Sequence, residues 1–112
     1  MQLACLVEFV ADMDRAVVFY RDQLGLTLKF QTPEWSEFAT GETTFALRPA
    51  TPVNPPGTLQ AGFAAPDIHQ FYGEAMARGV EFVSPPTAGD FGTVALVRDS
   101  EGGVASVTRA AR

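Results

Sequence analysis

The sequence predicts an α+β fold built from two tandem modules, each a strand, a helix and three further strands (βαβββ). Three observations carry this. Residues 3–26 read as a strand, a capped helix, a glycine stop and the start of the next strand. A degenerate copy begins near Leu59. The copies also align: Asp67 follows Asp12 by 55 residues, and the same shift carries Met13, Ala16 and Val17 onto Ile68, Phe71 and Tyr72. From Gly25 to Gly79 the shift is 54, which reads as a one-residue deletion in the second helix. Neither module can bury both faces of its own sheet, so two copies are expected to pack together.

Each element has a local reason. Residues 3–10 are rich in large apolar and β-branched side chains and read as a strand. Asp12 is placed to cap a helix, with Asp14 in the first turn at the positive end of the dipole. Met13, Ala16, Val17, Tyr20 and Leu24 then form one apolar stripe, and Arg15, Arg21 and Asp22 the solvated side. Gly25 can take the left-handed conformation that ends a helix. Residues 26–31 alternate as a half-buried strand until Pro33 breaks it, and residues 35–40 and 43–48 form a hairpin across Gly41-Glu42. Four prolines between residues 49 and 57 mark a stiff connector.

The second module repeats the plan: a strand over residues 59–64, and a helix opened by Asp67 with Gln70 in capping-box position. The helix presents Ile68, Phe71, Tyr72 and Ala75 and ends at Gly79. A short strand over 80–83, a Pro/Gly-rich loop over 84–92, and strands over 93–98 and 104–108 complete it, with a turn at residues 99–103 between the last two. The organisation is therefore one domain over residues 1–112: module one 1–49, connector 50–58, module two 59–108 and a tail 109–112.

Composition excludes several classes of function. The chain has 112 residues, enough for one core, and a net charge of −5. Nucleic acid and anionic membranes both need a basic face, so neither is expected as a partner. The single cysteine, Cys5, forms no internal disulfide framework and suits a reducing compartment. The start of the chain lacks a secretory pattern, and no apolar run reaches the ~20 residues of a membrane span, so a cytoplasmic location is expected.

The residues Val10-Ala11-Asp12-Met13-Asp14-Arg15-Ala16, the pair Phe19-Tyr20 and the run Leu24-Gly25-Leu26 resemble the vicinal oxygen chelate superfamily. This group takes in glyoxalase I, extradiol dioxygenases and bleomycin-resistance proteins. Asp99-Ser100-Glu101-Gly102-Gly103 stands where that family commonly writes D-P-D-G-N. The resemblance implies a curved mixed sheet wrapped around a cleft, and metal ligands from the first and last strand of each module. Those four positions fall on Cys5, Ala46, Gln60 and Ser106. Alanine cannot ligate, and the amide and hydroxyl are weak donors for sites that favour carboxylate and imidazole. No metal, no cofactor and no catalytic residue is expected. The lone histidine, His69, falls on the second helix, away from that face.

If the strands keep the family's facing, Cys5, Val7 and Phe9 line the cleft together with Thr44, Ala46 and Arg48. Gln60, Gly62 and Ala64, and Val104, Ser106 and Thr108, line it from the other module. Trp35, Phe38 and Phe91 fall on or beside rim loops, placed to stack on a planar ligand. Arg48 is the one charged member of the lining, able to hold a carboxylate or phosphate or to reach solvent from its strand end. The remaining aromatics, Phe19 and Tyr20 among them, read as core. Glu8 falls on the helix face, where a carboxylate needs a partner such as Arg15 or Lys29, unless a register slip turns it inward. Cys5 has no predicted base beside it and reads as an inert thiol.

The function expected is metal-free binding of a small aromatic or cationic molecule, of the bleomycin-resistance type and extending to antibiotic sequestration. A homodimer is implied by the resemblance alone. The rival readings are a metal-dependent lyase or dioxygenase with ligands displaced to Glu8, Glu37 or Glu42, and a non-catalytic interaction module.

Overall fold

The computed structural model describes residues 1–89 and 92–109. The chain forms two compact units, one of Ala4–Gln60 and the other running from Ala61 onward and including Met1–Leu3.

The first unit contains β1 (Gln2–Val10, all but its first two residues), α1 (Met13–Val18), β2 (Thr27–Phe30), β3 (Ser36–Ala39) and β4 (Thr44–Pro49). Its strands lie in the order β2-β3-β4-β1. β4 runs parallel to β1, with Cys5, Val7 and Phe9 opposite Thr44, Ala46 and Arg48, and the other pairs are antiparallel. The Asp12 carboxylate accepts the Arg15 amide at 3.0 Å and so caps α1, a contact of about 1 kcal/mol.

α1 does not continue as a regular helix to its glycine stop. Residues Phe19–Gln23 form a π turn, in which the Leu24 amide reaches back five residues to the Phe19 carbonyl at 2.9 Å. A π turn absorbs one inserted residue. The 55-to-54 drop in the repeat is thus an extra residue in the first helix, held as a π turn. The turn also rotates the stripe: Tyr20 and Leu26 pack on the core, while Phe19 and Leu24 are exposed rather than buried.

On the helix side of this sheet Val10, Val17, Phe38 and Leu47 are buried together, with Met13, Tyr20 and Phe45 against them. The rings of Tyr20 and Phe45 meet edge to face at 4.8 Å. Val7, Phe9 and Ala46 form a second cluster on the opposite side, with Cys5, Trp35 and Ala50 packed on it. The connector is tied back to β1, since the Gly57 amide donates to Phe9 O and the Phe9 amide to Thr58 O, at 2.8 and 2.9 Å.

The second unit contains β5 (Leu59–Ala65, from Ala61 on), α2 (Ile68–Ala77), β6 (Phe82–Gly89), β7 (Gly92–Arg98) and β8 (Val104–Arg109), with strand order β5-β8-β7-β6. β8 is parallel to β5, repeating the β1–β4 relation. Asp67 caps α2 through the His69 and Gln70 amides at 3.1 and 3.0 Å. The expected return bond of a capping box is replaced: Gln70 Nε2 donates to Glu74 one turn on, at 3.4 Å. Phe82 receives the rings of Phe71 and Tyr72 at 6.0 and 4.7 Å.

The segment expected as a loop over residues 84–92 is instead largely strand, since β6 runs through Pro85 and Pro86 to Gly89. Among the described residues its one partner strand is β7, so the missing proline N–H groups interrupt one ladder at most. The pairing jumps from Ser84↔Leu96 to Thr87↔Val94, a bulge that contains both prolines.

Candidate binding face and groove

In the first unit one face of the sheet gathers most of the predicted site residues. Alternation along β1 turns Cys5, Val7 and Phe9 to the same side, and the parallel register sets Arg48 beside Phe9. Trp35, just before β3, packs on Val7, Phe9 and Ala46. Val7, Phe9 and Ala46 are no more than 4% exposed and make a floor; Trp35 and Cys5 are half-buried, and Arg48 is exposed. The Arg48 guanidinium carbon lies 5.8 Å from the Phe9 ring centre and 6.0 Å from that of Trp35, so two aromatic rings hold one cation. Among the described residues no carboxylate lies within 4.0 Å of Arg48.

Glu37 belongs to this face, because it pairs with Ala46 across β3 and β4. Its carboxylate accepts Trp35 Nε1 at 3.0 Å and meets Lys29 Nζ at 3.9 Å. The indole is thereby pinned by an acid that is itself partly neutralised. Burial, and secondarily the charge of Glu37, push the Cys5 thiol above its ordinary range, so it stays protonated and a poor nucleophile. In the sequence Glu37 reads only as a displaced metal ligand. Its spacing of two from Trp35 is the available sign that the two share a face.

Phe38 does not lie at a rim. It is wholly buried among Tyr20, Phe45, Val17 and Leu47 on the helix side, because it lies three positions after Trp35, an odd offset that reverses its direction. Ser106 stands on β8 of the second unit opposite Gly62, and Gln60 is 9% exposed on β5. Phe91 lies outside the described residues.

Glu8 keeps the helix-facing direction that alternation gives it, without a register slip. Its partner is neither Arg15 nor Lys29: the Tyr20 hydroxyl donates to Glu8 Oε1 at 2.5 Å. Burial, then this bond and the carboxylate's charge, push the Tyr20 phenol up to about 12. The pair lines a groove of about 690 Å³ between α1 with its π turn, the end of β1 and Pro56-Gly57.

Ala46 and the three glutamates considered as displaced ligands do not come together as a donor set. Ala46 offers no ligand atom and is fully buried, Glu8 and Glu37 project from opposite faces of the sheet, and Glu42 is exposed at a turn. Among the described residues no three His, Cys, Asp or Glu side chains converge to hold an ion. Nor is any helix there long and apolar enough to cross a membrane.

Two βαβββ units, each closing with a strand parallel to its first, make up an α+β fold. The sequence profile of the Glyoxalase/Bleomycin resistance protein/Dioxygenase superfamily matches residues 2–105, and the chain belongs to that superfamily. No curated protein matches it significantly. Among solved structures it is similar to a variant of methylmalonyl-CoA epimerase from Streptomyces coelicolor in complex with 2-nitronate-propionyl-CoA, at 15% identity and a TM-score of 0.80, over 99% of this chain and 95% of that one. A hypothetical protein of Bacillus halodurans C-125 gives 19% identity, a TM-score of 0.80 and the same coverage. A variant of 4-hydroxymandelate synthase from Streptomyces coelicolor gives 20% and 0.67, over 99% of this chain and 39% of that one. At these identities the likeness is one of fold.

Proposed function

We propose that the chain is a metal-free binding protein that captures a small planar molecule on the face floored by Val7, Phe9 and Ala46. The observation that carries this is the Phe9–Arg48–Trp35 arrangement: a guanidinium held by two rings with no acid of the described residues beside it. Held this way, the cation keeps its charge for an acidic group on the ligand, and the partly open indole offers a surface for stacking. The nearby thiol is kept protonated, and among the described residues no three His, Cys, Asp or Glu side chains converge, which supports binding over bond activation. Stoichiometric capture follows, and sequestration of an aromatic antibiotic is one use that such capture would serve.

Trp35 is the only tryptophan, so its fluorescence reports this face directly. Titration with planar aromatic carboxylates should change that fluorescence with saturation at one ligand per chain, and Arg48→Ala should weaken it. A panel that leaves Trp35 emission unmoved at millimolar ligand would sink the proposal.

A further inference from the structure

The groove beside Glu8 and Tyr20 lies on the helix side of the first sheet and shares only Phe9 with the face just described. At about 690 Å³ it falls within the range of small-molecule sites. Its wall includes Val18 and Phe19, two apolar side chains 42% and 44% exposed, set there by the end of α1 and the start of the π turn. Irregular turns of this kind recur where a helix presents side chains to a ligand.

The polar lining has a sign. Glu8, Asp12 and Asp14 contribute three carboxylates against the one guanidinium of Arg15. Asp12 is spent on capping α1, and Asp14 Oδ1 accepts Gln31 Nε2 at 2.7 Å. Glu8 uses Oε1 for the Tyr20 hydroxyl, and its Oε2 has no hydrogen-bond partner among the described residues. The Phe19 and Tyr20 rings meet edge to face at 5.0 Å, and both residues line the groove together with Glu8. A carboxylate and a part-exposed aromatic side chain in one groove suit a weakly hydrated organic cation better than a metal ion or an anion.

We propose that this groove is a second ligand site, for an organic ammonium ion whose charge meets Glu8 and whose apolar part lies against Phe19. Neither Trp35 nor Arg48 lines it, so each site can fail without the other.

Calorimetric titration of the full chain with benzyltrimethylammonium, against uncharged benzyl alcohol, tests it. The cation should bind and the alcohol should not. Phe19→Ala, at an exposed position that folding tolerates, should weaken the cation about fivefold, the size of one cation–π contact. Glu8→Gln should weaken it further. No heat of binding at millimolar cation, equal binding of the alcohol, or indifference to both Phe19→Ala and Glu8→Gln would each overturn the proposal.

Discussion

The Tyr20 hydroxyl donates to the Glu8 carboxylate across twelve residues of sequence, joining the π turn of the first helix to the last third of the first strand. The bond gives a partner to one oxygen of a carboxylate that stands half-buried between the core and the groove. Tyr20→Phe should therefore destabilise the fold by about 1–3 kcal/mol, the cost of stranding a partly buried acceptor. Urea denaturation of the two proteins checks this, and a change below a few tenths would show that water replaces the phenol freely.

The same pair predicts a loss of stability in alkali. The Tyr20 phenol is raised from 10.0 to about 12, so the folded state keeps a proton that the unfolded state releases. Stability from this source is complete below pH 10 and disappears as pH rises toward about 12. Absorbance titration of phenolate in wild type and Tyr20→Phe should show one late-titrating tyrosine that the variant lacks. Equal alkaline stability of the two proteins would contradict the coupling.

Phe38 and Trp35 should separate stability from binding. Phe38→Ala opens a cavity in the helix-side core and should cost about 3–5 kcal/mol. Trp35→Ala, on the other face and half-buried, should cost less but abolish capture of a planar ligand. Thermal melts with and without ligand distinguish the two variants, and a Phe38→Ala protein as stable as wild type would refute its placement.

Cys5 should react slowly with thiol reagents, because burial and Glu37 both keep its proton on. Glu37→Gln removes the smaller of these causes, so modification in neutral buffer should quicken, by less than about tenfold. A rate equal to that of a free cysteine in wild type would show that the thiol is not held as described.

The Asp99 turn carries a steric prediction. Asp99 Oδ1 accepts the Glu101 and Gly103 amides, both at 2.8 Å, and a Cβ on Gly103 would stand 2.7 Å from Asp99 Oδ2. Gly103→Ala should cost about 1 kcal/mol or more, and less in an Asp99→Ala background, because the two positions are in contact. Strict additivity in that double-mutant cycle would remove the explanation.

Much of this architecture is legible in the sequence because its signals are local. Asp12 and Asp67 each cap a helix with their own side chains, and Gly25 and Gly79 each end one at a φ near +90°. The offset between the copies is also visible, but whether a helix loses a residue or holds an extra one as a π turn depends on how the turn packs. Glu8's direction follows from period-two alternation. Its partner does not, since charge pairing points to Arg15 or Lys29 while the π turn delivers a neutral phenol. Trp35 and Phe38 group together by chemistry, although their odd spacing sends them to opposite faces. The strand through Pro85-Pro86 is obscured because proline signals a break, and only a bulge with a partner on one side makes it admissible.

Capture of a planar acid on the Trp35–Arg48 face, as proposed, needs no metal. Calorimetric titration of the purified chain with an aromatic carboxylate that quenches Trp35, with and without a strong chelator, checks this. Metal-free capture gives one ligand per chain, an affinity that the chelator leaves unchanged, and loss of binding in Arg48→Ala. Binding that vanishes with the chelator and returns with a stoichiometric divalent metal would contradict it.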